Sequence, residues 1–184
     1  MTRTLALGEP TAQMKTDYTL VLKGHIAFAQ AKFPAGTFGY QLDTLARQFL
    51  WQNSTAYGHG TGHGIGHFLN VHESPPNIRF IDEKPVALSA GMVITNEPSI
   101  SRANEYGVRL ENMLLVVENE ETTFGKFLKF ETISLIPFDN KAIEFSLLNE
   151  NEITWLNEYH KMVFEKLCPF LTEKEQAWLK AKTK

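Results

Sequence analysis

Cysteine is all but absent from this 184-residue chain: Cys168 stands alone, so no intramolecular disulfide can form, which suits a reducing compartment. It lies in the apolar stretch Leu167-Cys168-Pro169-Phe170, where packing explains it better than a nucleophilic role. Long hydrophobic runs are missing too. No segment approaches the roughly 18 apolar residues that cross a bilayer, and Met1 to Pro10 lacks the apolar centre of a signal peptide. The expectation is a cytoplasmic chain with no membrane partner. Neither sign of charge dominates: 18 Lys and Arg against 21 Asp and Glu leave a net charge of −3, with no basic stripe to hold nucleic acid. Lys174, Lys180, Lys182 and Lys184 are spread along a helical pattern and read as a solvated face. With 43% hydrophobic residues the chain can bury one core.

Histidine is scarce but concentrated. Four of the six copies fall in Tyr57-Gly-His59-Gly-Thr-Gly-His63-Gly-Ile-Gly-His67-Phe-Leu-Asn-Val-His72-Glu73. Histidine is both a nitrogen ligand and a proton carrier near neutral pH. Glycines at 58, 60, 62, 64 and 66 let the backbone come close to a ligand and argue against a helix, since each costs about 1 kcal/mol there relative to alanine. On an extended chain His59 and His63 would stand about 13 Å apart. One ion would then take at most one of them. A flexible polar loop is the bland reading of such a tract. Two glutamates weigh against it. Glu97 follows the apolar run Met92-Val93-Ile94 in Thr95-Asn96-Glu97-Pro98, and Glu111 leads into Met113-Leu114-Leu115-Val116-Val117. A carboxylate in a buried strand needs an ion pair, hydrogen bonds or a metal. Arg109 is one candidate partner for Glu111; a site of imidazole and carboxylates is the other reading.

The remaining pattern predicts α+β architecture without internal repeats. A short strand is expected at residues 2–7, a helix from Thr11 to about Lys32, a turn at Pro34-Ala35-Gly36, and a second helix from about Tyr40 to Gln52. In that second helix Leu42, Leu45, Ala46, Phe49 and Leu50 form one apolar stripe. Pro75-Pro76-Asn77 reads as a turn. Val86 to Glu97, Val108 to Glu118 and Phe127 to Pro137 read as strands, with a polar hairpin loop at 119–123. Helix returns from Asn149, and Thr172-Glu173-Lys174-Glu175 is a capping-box signature for a last helix. His25 and His160 fall on helices as packing or surface residues. Asp17 and Asp43 also fall on helices, and Asp82 in a loop.

His59-Gly60-Thr61-Gly62-His63-Gly64, Asn70-Val71-His72-Glu73, Thr95-Asn96-Glu97-Pro98 and Gly107-Val108-Arg109-Leu110-Glu111-Asn112 together resemble the metal-site motifs of the creatinase/methionine-aminopeptidase ("pita-bread") metallopeptidases. Within that group the chain is most similar to the Xaa-Pro aminopeptidase (aminopeptidase P) branch in its long, three-domain form. Leu22-Lys23-Gly24-His25-Ile26, Phe130-Glu131-Thr132-Ile133-Ser134-Leu135-Ile136-Pro137 and Trp155-Leu156-Asn157-Glu158-Tyr159-His160 extend the likeness over nearly the whole chain. The resemblance implies the second half of a pita-bread fold, a curved and mostly antiparallel sheet with packed helices. Residues 1–138 would belong to the C-terminal half of the catalytic domain, and residues 139–184 would be its helical extension. It implies His63, Glu97 and Glu111 as metal residues, Glu97 also as proton relay, His59 and His72 as histidines touching the substrate, and Arg109 behind Glu111. His67 has no such place and reads as a polar loop residue. The implied reaction removes the N-terminal residue from peptides with proline second, using two metal ions to activate water and polarise the scissile carbonyl. Carboxylate-rich ligation with one imidazole favours a harder ion such as manganese over a structural zinc.

Two metal-binding aspartates of that family have no counterpart here. Met1-Thr2-Arg3-Thr4 matches the end of the motif that carries the second of them, and Asp17, Asp43 and Asp82 stand in other contexts. The expectation is a C-terminal fragment that holds at most one ion and is inactive alone. Apolar strand surface around Val93, Val108 and Leu110 would be left uncovered and would drive a homodimer. A non-catalytic pita-bread binding module is the alternative, against which the retained metal residues and substrate histidines weigh. An unrelated His/Glu metal-binding protein is a third reading, and it leaves the ordered motifs unexplained.

Overall fold

A computed structural model describes Met1–Lys184. The elements in chain order are α1 (Ala12–Ala29), β1 (Lys32–Pro34), α2 (Gly39–Gln52), β2 (Gly62–Gly64), β3 (Glu73–Ile78), β4 (Val93–Asn96), β5 (Ser99–Arg102), β6 (Tyr106–Arg109), β7 (Asn112–Thr122), β8 (Gly125–Thr132), α3 (Glu150–Leu167) and α4 (Glu173–Lys182). They form two compact units, one of Met1–Thr2 with Leu20–Ser134 and one of Arg3–Thr19 with Leu135–Lys184. No helix is long and apolar enough to cross a membrane.

The first unit is built on a six-stranded sheet in the order β1-β8-β7-β4-β2-β3, beside a separate β5-β6 pair, and every pairing is antiparallel. Phe28, Phe33, Leu42, Ala46, Ile78, Ile94, Leu114, Val116, Leu128 and Phe130 make its core. Phe130 stacks on Phe28 at 5.0 Å between ring centres. Helices α1 and α2 meet at Gly24, where an added Cβ would lie 2.1 Å from the Ala46 carbonyl oxygen. Only glycine permits that approach.

Several expected boundaries shift, each for a physical reason. Helix α1 stops at Ala29 because Phe33 is drawn into the core on a strand whose residues pair with Phe127 to Lys129. Pro75 and Pro76 are not a turn. They sit in β3 where the register against β2 jumps from His63–Asn77 to Gly64–Glu73, so neither proline stands opposite a ladder partner. The run from Val86 is strand only over Val93–Asn96, after Gly91 turns the chain with φ +92°. The run from Val108 breaks at Leu110-Glu111, between β6 in the small pair and β7 in the large sheet. The hairpin tightens to Thr123-Phe124, with Thr122 opposite Gly125.

The expected uncovered patch also differs. Leu110 is fully buried, Val108 packs opposite Ile100, and Val93 is half-buried in β4. The strongly exposed apolar side chains of this unit include Phe68, Leu69, Phe80 and Ile81 instead.

The expected strand at residues 2–7 does not form: Leu5 and Leu7 are exposed, so their alternation has no face to bury. The Thr11 hydroxyl accepts the Met14 N–H at 3.2 Å and caps α1. Asn149 and Glu152 form a capping box on α3, and Glu175 accepts from the Thr172 N–H at 2.8 Å at the start of α4. Tyr18, Phe138, Leu156, Tyr159 and Val163 are buried together with His160, whose Nε2 accepts the Phe138 N–H at 3.0 Å. The Arg3 guanidinium lies over the Phe138 ring at 4.1 Å.

Candidate metal centre

Helix α2 begins the site. Asp43 and Arg47, one turn apart on its buried side, form an ion pair with Nε to Oδ2 at 2.5 Å and Nη2 to Oδ1 at 3.1 Å. Arg47 then donates to the carbonyls of Tyr57 and His59 at 2.8 and 2.7 Å, which fixes the backbone that enters the glycine-rich run. The Thr61 hydroxyl donates to Asp43 at 2.6 Å and is left to accept from the Tyr57 hydroxyl, also at 2.6 Å. Burial pushes the Tyr57 phenol up to about 12, so it stays a donor. Thr61 also offers its carbonyl to the Glu97 N–H at 2.7 Å. The ion pair is therefore linked to a candidate ligand through one residue.

The glycines of the run serve approach more than unusual dihedrals. None of Gly58, Gly60, Gly62, Gly64 and Gly66 has positive φ, whereas a Cβ on Gly62 would lie 1.9 Å from the Thr95 carbonyl oxygen. That contact presses β2 against β4 and brings His63 beside Glu97.

The ligand atoms of His63, Glu97 and Glu111 lie within 4.8 Å of one another. His63 Nδ1–H donates to the Gly64 carbonyl at 2.7 Å, which leaves Nε2 facing Glu97 Oε1, 3.0 Å away, as the nitrogen a metal ion would take. Both side chains are 12% exposed. The Thr95 hydroxyl accepts the His63 N–H and donates to Glu97 Oε1 at 3.1 Å. Glu111 occupies the break between β6 and β7: its N–H donates to the Thr2 carbonyl at 2.9 Å, and its Oε2 accepts the Thr2 hydroxyl at 2.5 Å. The Met1 amino nitrogen lies 3.4 Å from the same oxygen.

The other residues singled out in the sequence surround this cluster. Arg109 is opposite Ser99 in the β5-β6 pair; its Nε is 3.8 Å from Glu97 Oε2 and its Nη2 donates to His59 Nε2 at 3.1 Å. His59 donates from Nδ1 to the Gly60 carbonyl at 2.6 Å and accepts the Ser99 hydroxyl at Nε2 at 2.5 Å. Burial pushes the His59 pKa below the ordinary histidine value, and the Arg109 and Arg47 charges push the same way. His59 is thus a neutral imidazole outside the ligand cluster. His72 is exposed, its ring 4.2 Å from that of His63. His67 is exposed and is not among the three clustered donors. Asp17 accepts from Gln13, Asp43 pairs with Arg47, and Asp82 pairs with Arg79.

One imidazole and two carboxylates make a hard, dianionic donor set that fits a divalent cation. Two donors about 2.1 Å from one ion and at right angles stand about 3.0 Å apart. The 3.0 Å between His63 Nε2 and Glu97 Oε1 is a hydrogen-bond distance that also fits two ligands of one ion.

Comparison with known proteins places the chain in a defined class. Residues 1–118 match Metallopeptidase family M24 and residues 126–184 match the C-terminal region of the M24 peptidases, so the chain belongs to metallopeptidase family M24. Its fold is the pita-bread type of that family, α+β with an antiparallel sheet. Among curated relatives, the probable Xaa-Pro aminopeptidase P of Arthroderma otae is 48% identical over 99% of this chain and 30% of its own length. That of Coprinopsis cinerea is 44% identical over 100% of the chain and 30% of its own length. Among solved structures, the X-prolyl aminopeptidase of Caenorhabditis elegans, described as a cytosolic enzyme with a di-nuclear active site, superposes with a TM-score of 0.90 at 40% identity, covering 99% of this chain and 30% of that one. The Xaa-Pro dipeptidase of Bacillus anthracis gives 0.60 at 33% identity, over 74% of this chain and 35% of that one. The chain spans about 30% of the length of the curated relatives it matches.

Proposed function

We propose that this chain carries the His/Glu portion of an Xaa-Pro aminopeptidase site, acting in the cytoplasm on peptides with proline second. The observation that carries this reading is the convergence of His63, Glu97 and Glu111 within 4.8 Å, in a chain of the M24 family. These three residues would hold a divalent ion, with manganese the best match to the donor set. When bound, such an ion lowers the pKa of water and polarises a carbonyl. Glu97, already the acceptor of the Thr95 hydroxyl, takes up the proton of the attacking water. Arg109 steadies Glu97 and holds His59. His72, exposed beside His63, is free to meet a substrate oxygen. His59 Nε2 is an acceptor held by the Ser99 hydroxyl and by Arg109, so a substrate N–H would displace Ser99 to reach that imidazole. A recess of 580 Å³ beside His59, lined by Trp51, Tyr57, Arg79, Phe80 and Ile81, has room for a peptide side chain.

Two carboxylates balance the charge of one divalent ion and leave a second uncompensated. The 184 residues by themselves are therefore expected to hold one ion and to turn over little. The test is hydrolysis of matched Xaa-Pro and Xaa-Ala peptides with added manganese. Trace release confined to the Xaa-Pro peptide and lost in Glu97→Gln is the expected result. Equal release from both peptides, indifferent to Glu97, would contradict the assignment; robust turnover lost in Glu111→Ala would contradict the low activity.

A further inference from the structure

His25 sits in α1 with no exposed surface, in a stretch where Leu22, Ile26 and Phe28 are buried as well, and a buried imidazole needs partners. It finds them at one place in the sheet. Its ring Nδ1 lies 3.1 Å from the Leu110 carbonyl, its Nε2 lies 3.2 Å from Asn112 Nδ2, and its own carbonyl accepts Asn96 Nδ2 at 2.9 Å. A carbonyl only accepts, so Nδ1 carries the hydrogen and Nε2 accepts from the Asn112 amide. Both ring nitrogens and the backbone oxygen are thereby committed to the sheet.

The residues it holds define the end of the β4-β7 ladder. Asn96 and Asn112 face each other as the last pair of that ladder, Glu97 follows the first and Glu111 precedes the second. Leu110 and Asn112 bracket Glu111. Asparagine is a poor strand residue, and here both positions of one rung carry it, each turned toward His25. Asn96 Oδ1 is buried without a protein hydrogen-bond partner, so only its Nδ2, held by the His25 carbonyl, is satisfied. The helix itself has little freedom to retreat, since the residue before His25 is the Gly24 pressed against Ala46.

We infer that His25 is a positioning residue which pins the rung between Glu97 and Glu111 and so sets the separation of the two carboxylates. The inference rests on the proposal that His63, Glu97 and Glu111 hold a divalent ion. Outer hydrogen-bond partners of ligands typically change metal affinity about ten- to a hundredfold.

The experiment is a manganese titration of the 184-residue chain followed by the electron paramagnetic resonance signal of free Mn²⁺, with urea unfolding run on every variant. His25→Leu is expected to weaken binding about ten- to a hundredfold while remaining folded. His25→Asn, whose amide can still donate to the Leu110 carbonyl, is expected to recover most of that loss. Asn112→Ala, which removes the bond from the sheet side, is expected to weaken binding in the same direction and serves if His25→Leu does not fold. His160→Leu, an equally buried histidine in the other unit, is expected to lose stability without changing manganese affinity. Unchanged binding in folded His25→Leu or in Asn112→Ala would overturn the inference, as would equal weakening by His160→Leu. No binding by the unmodified chain, or binding indifferent to His63, would overturn the underlying metal assignment and this inference with it.

Discussion

The Thr95 hydroxyl accepts the backbone N–H of His63 at 3.0 Å while donating to Glu97 Oε1 at 3.1 Å. One side chain thus fixes the strand that carries the imidazole and the orientation of the carboxylate beside it. Thr95→Val keeps the shape of the buried side chain and removes both bonds. Manganese affinity is expected to fall about tenfold or more in Thr95→Val and to be retained in Thr95→Ser. Equal affinity in the valine variant, measured by calorimetry, would show that the hydroxyl does not hold the site.

His160 gives the second unit an acid-sensitive element of its own. Burial pushes its pKa from 6.5 down to about 4, and the Arg3 charge adds to this. The unfolded chain therefore binds the proton first as pH falls. Stability is full above about pH 6.5 and is lost as pH drops toward about 4, by up to about 3 kcal/mol. His160→Gln can still accept the Phe138 N–H and has no charge to gain. Urea midpoints measured from pH 7 to pH 4 are expected to fall less steeply for this variant than for the unmodified chain; parallel curves would contradict the assignment.

The stripe along α2 and the capping signatures of α3 and α4 were readable because they are local: each depends on residues within about one turn. His63, Glu97 and Glu111 stood out because a carboxylate among β-branched and aliphatic neighbours calls for a partner. The misread segments depend on what lies across the sheet. Pro75 and Pro76 look like a turn unless the register jump between β2 and β3 is known, and residues 2–7 look like a strand unless Leu7 is known to be exposed. His25 gave no local sign that its partners would be Leu110 and Asn112, far along the chain. Thr95 could have been found, since alternation puts it on the same face as Glu97. Asp43 and Arg47 also carried a signal, as opposite charges one turn apart on an amphipathic helix.

Self-association is expected through the loop after the glycine run, since Val108 and Leu110 are buried within the chain itself. Phe68 is 87% exposed and Leu69 82%, with Val71 beside them. Burying these side chains between two copies would account for a homodimer. Light scattering at micromolar concentration should give a dimer that weakens in a Phe68→Ser, Leu69→Ser double variant. A 20.9 kDa monomer at every dilution would contradict this.

The central claim is that His63, Glu97 and Glu111 form one divalent-metal site, and manganese titration calorimetry of alanine variants tests it most directly. The unmodified chain is expected to bind close to one ion. His63→Ala, Glu97→Ala and Glu111→Ala should each remove measurable binding, and His67→Ala should bind like the unmodified chain. Equal loss in His67→Ala and His63→Ala would instead mean a loose histidine-tract site, and the account given for these three residues would be wrong.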